Sequence, residues 1–415
     1  MLKPRSVPLL ISMIVVAFFL AMAMALSRGT DETLYHQAET YARVYQYLRE
    51  NYVDEGKVSP DALHYGALKG MAEAAGDPYT TYLDPREYEA LKSHNEGEFV
   101  GIGVVFRTLE DGRHLVIAPL KNSPAYEAGI RAGDYIDAVD GKPVTGLKSD
   151  ELQALIKGTP GTEVSVAVIK HDGGKPETVT MKRAVIKVES VVSAGFVNED
   201  KKIGYVRLEQ FSKNTADDLA RTLKGLKEQG MKGLIIDLRD NGGGLLQQAV
   251  SVSDLFLTEG VIVSTKGRIA EANKVYKAHD KDTLFPDNNL PIVILVNKGT
   301  ASASEIVAGA LRDHGRAVLI GENTYGKDTV QTIEPFNDGK DGALKLTIAH
   351  YYAPNNTPLF GGLKPDIAVA IPDEKWAEIT RNRIDFELAN DGKPYTGADD
   401  TQLAAAIEKI SSEIP

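Results

Sequence analysis

The chain has 415 residues, with 47 Lys and Arg against 58 Asp and Glu, a net charge of −11. At about 150 residues per domain this gives two to three domains, large enough to bury cores without covalent staples. The acidic balance argues against a general nucleic-acid binder. The absence of cysteine excludes disulfides, thiol nucleophiles, cysteine-held zinc and a lipoprotein anchor.

The first element is apolar. Lys3 and Arg5 precede a hydrophobic run over 7–26, long enough to cross a bilayer. Ala23-Met24-Ala25 is a small-x-small cleavage pattern. Residues 1–27 therefore read as a signal peptide or an uncleaved anchor, and the charges before the run favour export of the chain beyond it. Residues 28–94 read as helical, with Leu34, Ala38, Tyr41, Val44, Tyr45 and Leu48 at three- and four-residue steps. Asp77-Pro78 and Asp84-Pro85 punctuate them.

Residues 95–184 change texture to short β runs and glycine turns. The stretch 99–106 reads as one glycine-interrupted strand, 115–118 and 164–169 as further strands, and 149–156 as a helix. Over 185–371, apolar runs at 204–208, 234–238, 292–296 and 318–320 alternate with helical patterns at 216–229, 245–257 and 304–312. That alternation predicts an α/β layer around a buried sheet. Residues 372–415 are charged and helical.

Several chemistries lack their motif. There is no Gly-x-Ser-x-Gly elbow, no His-Glu-x-x-His, no phosphate loop and no Gly-x-Gly-x-x-Gly opening a helix. The eight histidines show no metal-ligand spacing, and no cofactor or metal is expected.

Three segments carry chemistry. In the first, a buried strand ends in Asp237-Leu238-Arg239-Asp240-Asn241-Gly242-Gly243-Gly244 and enters a helix. Clustered glycine N–H groups at a helix start suit an anionic oxygen, whether phosphate or tetrahedral oxyanion; a tight turn without a ligand reads equally from these residues. In the second, Thr300-Ala301-Ser302-Ala303-Ser304-Glu305 opens a helix. Ser302 with Glu305 fits a capping box, and it also fits a nucleophile at a helix amino end. The third is Tyr325-Gly326-Lys327-Asp328-Thr329-Val330-Gln331. A lysine in a loop is usually solvated. Beside a serine in a dry cleft it can give up its proton and act as base.

Taken together, these segments resemble the carboxyl-terminal processing, or tail-specific, serine peptidases. That family carries Asp-Leu-Arg-x-Asn-x-Gly-Gly, a Ser-Ala-Ser-Ala-Ser-Glu-like segment and a Gly-Lys-Gly-x-Val-Gln-like segment. Here they correspond to residues 237–244, 300–305 and 326–331. Asn51-Tyr52-Val53-Asp54, Gly70-Met71 and Asp77-Pro78-Tyr79-Thr80 resemble its amino-terminal helices. Tyr352-Ala353-Pro354 and Lys364-Pro365-Asp366-Ile367 resemble its last core strands. Residues 95–184 resemble an inserted PDZ domain, with Gly101-Ile102-Gly103-Val104 at the place of the carboxylate-binding loop.

The resemblance implies an α/β fold with a crotonase-like peptidase core over 185–371, flanked by helical regions at 28–94 and 372–415. It implies Ser302 as nucleophile, Lys327 as general base and Gln331 as the residue orienting the lysine. Gly243 or Gly244, with Ala303, would form the oxyanion hole, and Ser304 and Glu305 would cap the helix. It implies a periplasmic endopeptidase, cleaved free or tethered to the inner membrane, acting on proteins with accessible carboxyl termini. A homo-oligomer built through Leu34 to Leu48 or Trp376 to Ile410, and an adaptor lipoprotein, are implied partners; nucleic acid is not.

The sequence departs from the pattern in places. Asp328 stands where the family has glycine, and a carboxylate beside the base would raise its pKa. Gly242 replaces a proline, and residues 355–362 differ from the usual substrate-contact stretch. Asp328 is the one feature that favours the alternative reading, a PDZ-based binding protein with a decayed core. An acyl-CoA enzyme of crotonase fold would explain neither the leader nor the inserted domain.

Overall fold

The computed structural model describes residues 32–109, 111–120, 122–286 and 289–414. The apolar run at 7–26 and its cleavage pattern lie outside them. No helix among the described residues is long and apolar enough to cross a membrane.

The chain divides after Tyr82 into two units. The first holds α1 (Glu32–Asn51) and α2 (Pro60–Glu73). Ser59 caps α2 by accepting the N–H of Ala62, and Pro60 fits the first helical position. On α1, Leu34, Tyr41, Val44 and Tyr47 are all exposed.

The second unit opens with α3 (Pro85–Glu96), started by an Asp84–Glu87 capping box and ended by left-handed Gly97. Two β layers come next. β1 (Glu98–Gly101) pairs antiparallel with β7 (Ala184–Lys187). Between them an antiparallel sheet runs in the order β2 (Val104–Thr108), β3 (His114–Pro119), β4 (Tyr135–Val139), β5 (Glu163–Ile169), β6 (Glu177–Lys182). The stretch 99–106 is therefore two strands with different partners, not one. Ile102 and Gly103 form the corner where the chain leaves one sheet for the other. α4 (Ser149–Ile156) contributes Leu152 and Ile156 to the core of this domain, against which Val104 and Phe106 pack.

The central sheet has the order β8 (Val191–Asn198), β9 (Ile203–Leu208), β10 (Gly233–Asp237), β13 (Ile292–Val296), β14 (Val318–Gly321), β17 (Ile367–Ala368). Only the β8–β9 pair is antiparallel. β9, β10 and β13 are buried at every residue, as parallel strands covered on both faces must be. One face carries α5 (Thr215–Glu228), α6 (Leu246–Asp254) and α7 (Ala303–Asp313). The other carries α9 (Thr401–Glu413), whose Leu403, Ala406 and Ile410 pack on Tyr205, Ile235 and Leu295. α8 (Asp373–Ala389) precedes it and reaches the β domain through Arg107 of β2, whose guanidinium lies 2.9 Å from Asp385.

A second antiparallel sheet, which the apolar runs do not predict, follows the loop that carries Lys327. In it β16 (Ala343–Tyr352) pairs with both β11 (Val261–Gly267) and β15 (Thr329–Pro335), and β11 with β12 (Lys274–Lys277).

Candidate active site

The site forms where β10 and β13 end, side by side in the central sheet. After β13 the loop is closed by Thr300, whose hydroxyl accepts the N–H of Asn297 at 2.9 Å and donates to the Leu238 carbonyl at 2.8 Å. Ser302 then sits as N-cap of α7 with φ +57° and ψ −115°. Such a backbone costs a non-glycine residue about 1–3 kcal/mol and survives only where its surroundings impose it. Nucleophilic serines on strand-to-helix turns show this strain. Ser302 is only 6% exposed. The N–H of Ala303 opens the helix, before any intrahelical acceptor exists for it.

The glycine turn after β10 is bolted to this serine. Buried Asn241 does most of the joining. Its carbonyl accepts the Ala301 N–H at 3.0 Å and the Ser304 hydroxyl at 2.9 Å. Its side-chain amide donates to the Leu208 carbonyl, and its Oδ1 accepts the Gly243 N–H at 2.9 Å. Gly243 has φ +98°, and a Cβ there would lie 2.8 Å from both the Ser302 Cβ and the Ala303 nitrogen. Only glycine lets the turn come this close. Gly244 comes next, its backbone exposed and bridged to Phe211.

The loop that carries Lys327 is tied to the same serine by one carboxylate. Glu305 is fully buried. Its Oε2 accepts the N–H of Ser302 at 2.8 Å and that of Lys327 at 3.0 Å. Its Oε1 accepts the N–H of Gly326 at 2.7 Å and the hydroxyl of Thr324. The main chains of Ser302 and Lys327 thus meet on a single oxygen. A further bond runs from the Tyr325 N–H to the Thr300 carbonyl at 2.9 Å. Burial pushes the Glu305 carboxyl above its usual range, and the four donors around it work against that rise. The sequence assigns Glu305 a capping role; the structure gives it the main chain of Gly326 and Lys327 as well.

Asp328 is turned to another partner. Its carboxylate lies 2.9 Å from Nδ1 of His350. The Gln331 amide nitrogen donates to the hydroxyls of Thr329 and Thr347, which fixes it on the β15–β16 ladder.

Beneath the turn lies a charge network that no local pattern announces. Asp237, fully buried, accepts from the Tyr205 hydroxyl and from both Nε and Nη2 of Arg239. Burial pushes its carboxyl up, but Arg239 and Arg383 outweigh this and hold it well below the usual carboxylate range. Arg239 grips Asp400 with two parallel bonds of 2.8 and 2.9 Å, just before α9. The signal in the sequence is the pair of charges flanking Leu238 at the end of a buried strand, which obliges buried partners.

In the β domain, Gly101, Ile102 and Gly103 are buried and Val104 half-buried. The Ile102 carbonyl accepts the Ala125 N–H, and the Gly103 carbonyl accepts the Leu120 N–H and the Ser123 hydroxyl. The carbonyls of the corner are thus used inside the domain. Among the described residues the N–H groups of Ile102 and Gly103 have no acceptor. Among the described residues β2, the next strand, pairs with β3 and with no strand on its other edge.

Comparison with known proteins matches these two parts separately. The profile of peptidase family S41 covers residues 202–369, and that of a PDZ domain covers 115–170. A carboxy-terminal-processing protease of Bartonella bacilliformis is 35% identical, over 96% of this chain and 94% of that protein. A carboxyl-terminal-processing protease of Synechocystis is 36% identical, over 93% of this chain and 86% of its own length. A solved structure from Bacteroides fragilis, assigned to the S41 proteases, superposes with a TM-score of 0.54 at 19% identity, covering 89% of this chain and 97% of that one. The chain belongs to the carboxy-terminal processing serine proteases of family S41 and carries a PDZ domain.

Proposed function

We propose that the chain is an exported endopeptidase in which Ser302 and Lys327 form the catalytic dyad on a crotonase-like core. The observation that carries this reading is the Glu305 carboxylate, which binds the N–H groups of both residues through one oxygen. Ser302 Oγ attacks the scissile carbonyl carbon while its proton passes to Lys327. The oxyanion faces the Ala303 N–H and the glycine turn. The Gly243 N–H is held by Asn241 in the resting arrangement, so an oxyanion either displaces that oxygen or uses Gly244. The C–N bond then breaks, and Lys327 returns its proton to the leaving amine. Water, deprotonated by Lys327, hydrolyses the acyl-enzyme. Gln331 steadies the base loop from the neighbouring ladder.

The PDZ domain captures free carboxyl termini at the Ile102–Gly103 N–H groups and adds the tail to the open edge of β2. A cavity of about 360 Å³, lined by Leu91, Leu245 and Ile333 among others, lies beside the glycine turn and supports passage of an extended segment. Residues 1–27 direct the enzyme to the periplasm or hold it at the inner membrane. The exposed Leu34, Tyr41, Val44 and Tyr47 favour α1 as the oligomer contact, and a lipoprotein adaptor fits the same assembly. The pairing of Asp328 with His350 supports an intact base over a decayed core.

The test is cleavage of an unfolded protein by wild type, Ser302→Ala and Lys327→Ala, with mass measurement after an acylating probe. Both variants should lose cleavage by about 10³-fold or more while melting as wild type does, and only Ser302 should carry the probe. Wild-type turnover in either variant rejects the dyad.

A further inference from the structure

We infer that Trp376 is a positioning residue for the oxyanion turn, acting through the carboxylate of Asp240. The inference rests on the Ser302–Lys327 reading and extends it to the carboxyl-terminal helix α8.

Asp240 is the pivot of the glycine turn. Its φ is +61°, a left-handed backbone that aspartate tolerates better than most residues. Its N–H donates to the Asn297 Oδ1 at 2.9 Å, and its Oδ1 accepts the Asn297 side-chain amide at 2.7 Å. The turn and the loop that leads to Ser302 are therefore clasped by this pair. Gly299 makes room for it: a Cβ at Gly299 would lie 2.8 Å from the Asp240 Cα. The next residue is Asn241, which carries Gly243, Ala301 and Ser304. Any rotation at Asp240 is passed directly to the atoms around the nucleophile.

Trp376 fixes that rotation from outside the sheet. Its Nε1–H lies 3.2 and 3.1 Å from the two carboxylate oxygens of Asp240. The ring is held in turn by two cations of the buried network, with Arg239 at 4.7 Å and Arg383 at 5.2 Å from its centroid. Arg383 also lies 3.7 Å from Asp240 Oδ2. The indole is therefore a fixed donor aimed at the Asp240 corner of the turn. Asp240 itself is 43% exposed, so without this donor water would compete for the carboxylate.

The chain has a single tryptophan, so its fluorescence reports this contact without background. Two measurements decide the inference. First, Trp376→Phe keeps the ring and removes the N–H. It should lower kcat about tenfold, with KM within about twofold of wild type and an unchanged melting temperature. Combined with Asp240→Ala, the double variant should be no slower than Asp240→Ala alone. Second, a peptide aldehyde, whose carbonyl takes up Ser302 Oγ and leaves an oxyanion, should change Trp376 emission in the wild-type chain. It should not do so in Ser302→Ala or Asp240→Ala. An unaltered kcat, a loss confined to KM, additive variants, or silent emission on saturation with aldehyde would each overturn the role of Trp376 alone. A wild-type chain that neither cleaves nor binds the aldehyde overturns the dyad, and with it any positioning for it.

Discussion

At the scale of single residues, Glu305 shows how little a side chain's type predicts its work. Each of its oxygens receives two donors. Glutamine has the same shape but must place an NH2 against one of those pairs. Even with the NH2 on the Thr324 side, where the hydroxyl can turn to accept it, the Gly326 N–H loses its acceptor and is left unsatisfied, at about 1–3 kcal/mol. Glu305→Gln should therefore lower the urea midpoint and reduce kcat at least tenfold, although no catalytic atom changes. Equilibrium urea unfolding beside peptide turnover measures both. Asp328→Asn makes the opposite forecast. Its carboxylate faces His350, so turnover should fall less than about threefold, within the range of surface substitutions. A collapse of activity would mean that the carboxylate serves the base.

At the scale of elements, legibility tracks the distance over which partners act. β9, β10, β13 and β14 are readable as mainly apolar runs, because a strand covered on both faces is lined chiefly by apolar residues, with Arg207 and Asp237 as buried charges among them. The helices after them are readable from their period. The second antiparallel sheet is not. β15 and β16 mix polar and apolar residues, and β11 finds β16 across more than eighty residues, with Ser264 opposite Tyr352. The two strands inside 99–106 read as one because their glycine corner resembles an interruption. At the site, the positions of Ser302, Lys327 and the glycines are legible from motifs. The roles of Asp400, Arg383 and Trp376 are not, since nothing local marks a buried charge's distant partner. α9 shows a similar limit. Its sequence fits an oligomer contact, yet its apolar face is consumed by the sheet. Ile410→Ala should accordingly cost about 2–5 kcal/mol, seen as a lower urea midpoint at unchanged m-value. A neutral result would mean α9 detaches in solution.

At the scale of the whole molecule, the buried Asp237 carboxylate should contribute to the acid limit of the fold. Asp237 has its folded-state pKa depressed, so its contribution is present above its ordinary value of about 3.9 and lost as pH falls below it. Urea unfolding against pH should show stability dropping over that window. Asp237→Asn should flatten the drop while lowering stability at neutral pH, because Arg239 and Arg383 then lose a buried counter-charge. A slope identical to wild type would place the acid limit elsewhere.

The grip of Arg239 on Asp400 also has a bearing on how the molecule comes into being. A ribosome delivers the serine and the lysine well before the helices that brace them. Until α8 and the start of α9 have emerged and docked, Arg239 lacks Asp400 and the turn beside Ser302 lacks the brace of Trp376. A copy cut short before α8 should therefore turn over peptide more slowly than the whole chain, although its serine and lysine are both present; equal turnover would show that the brace is dispensable.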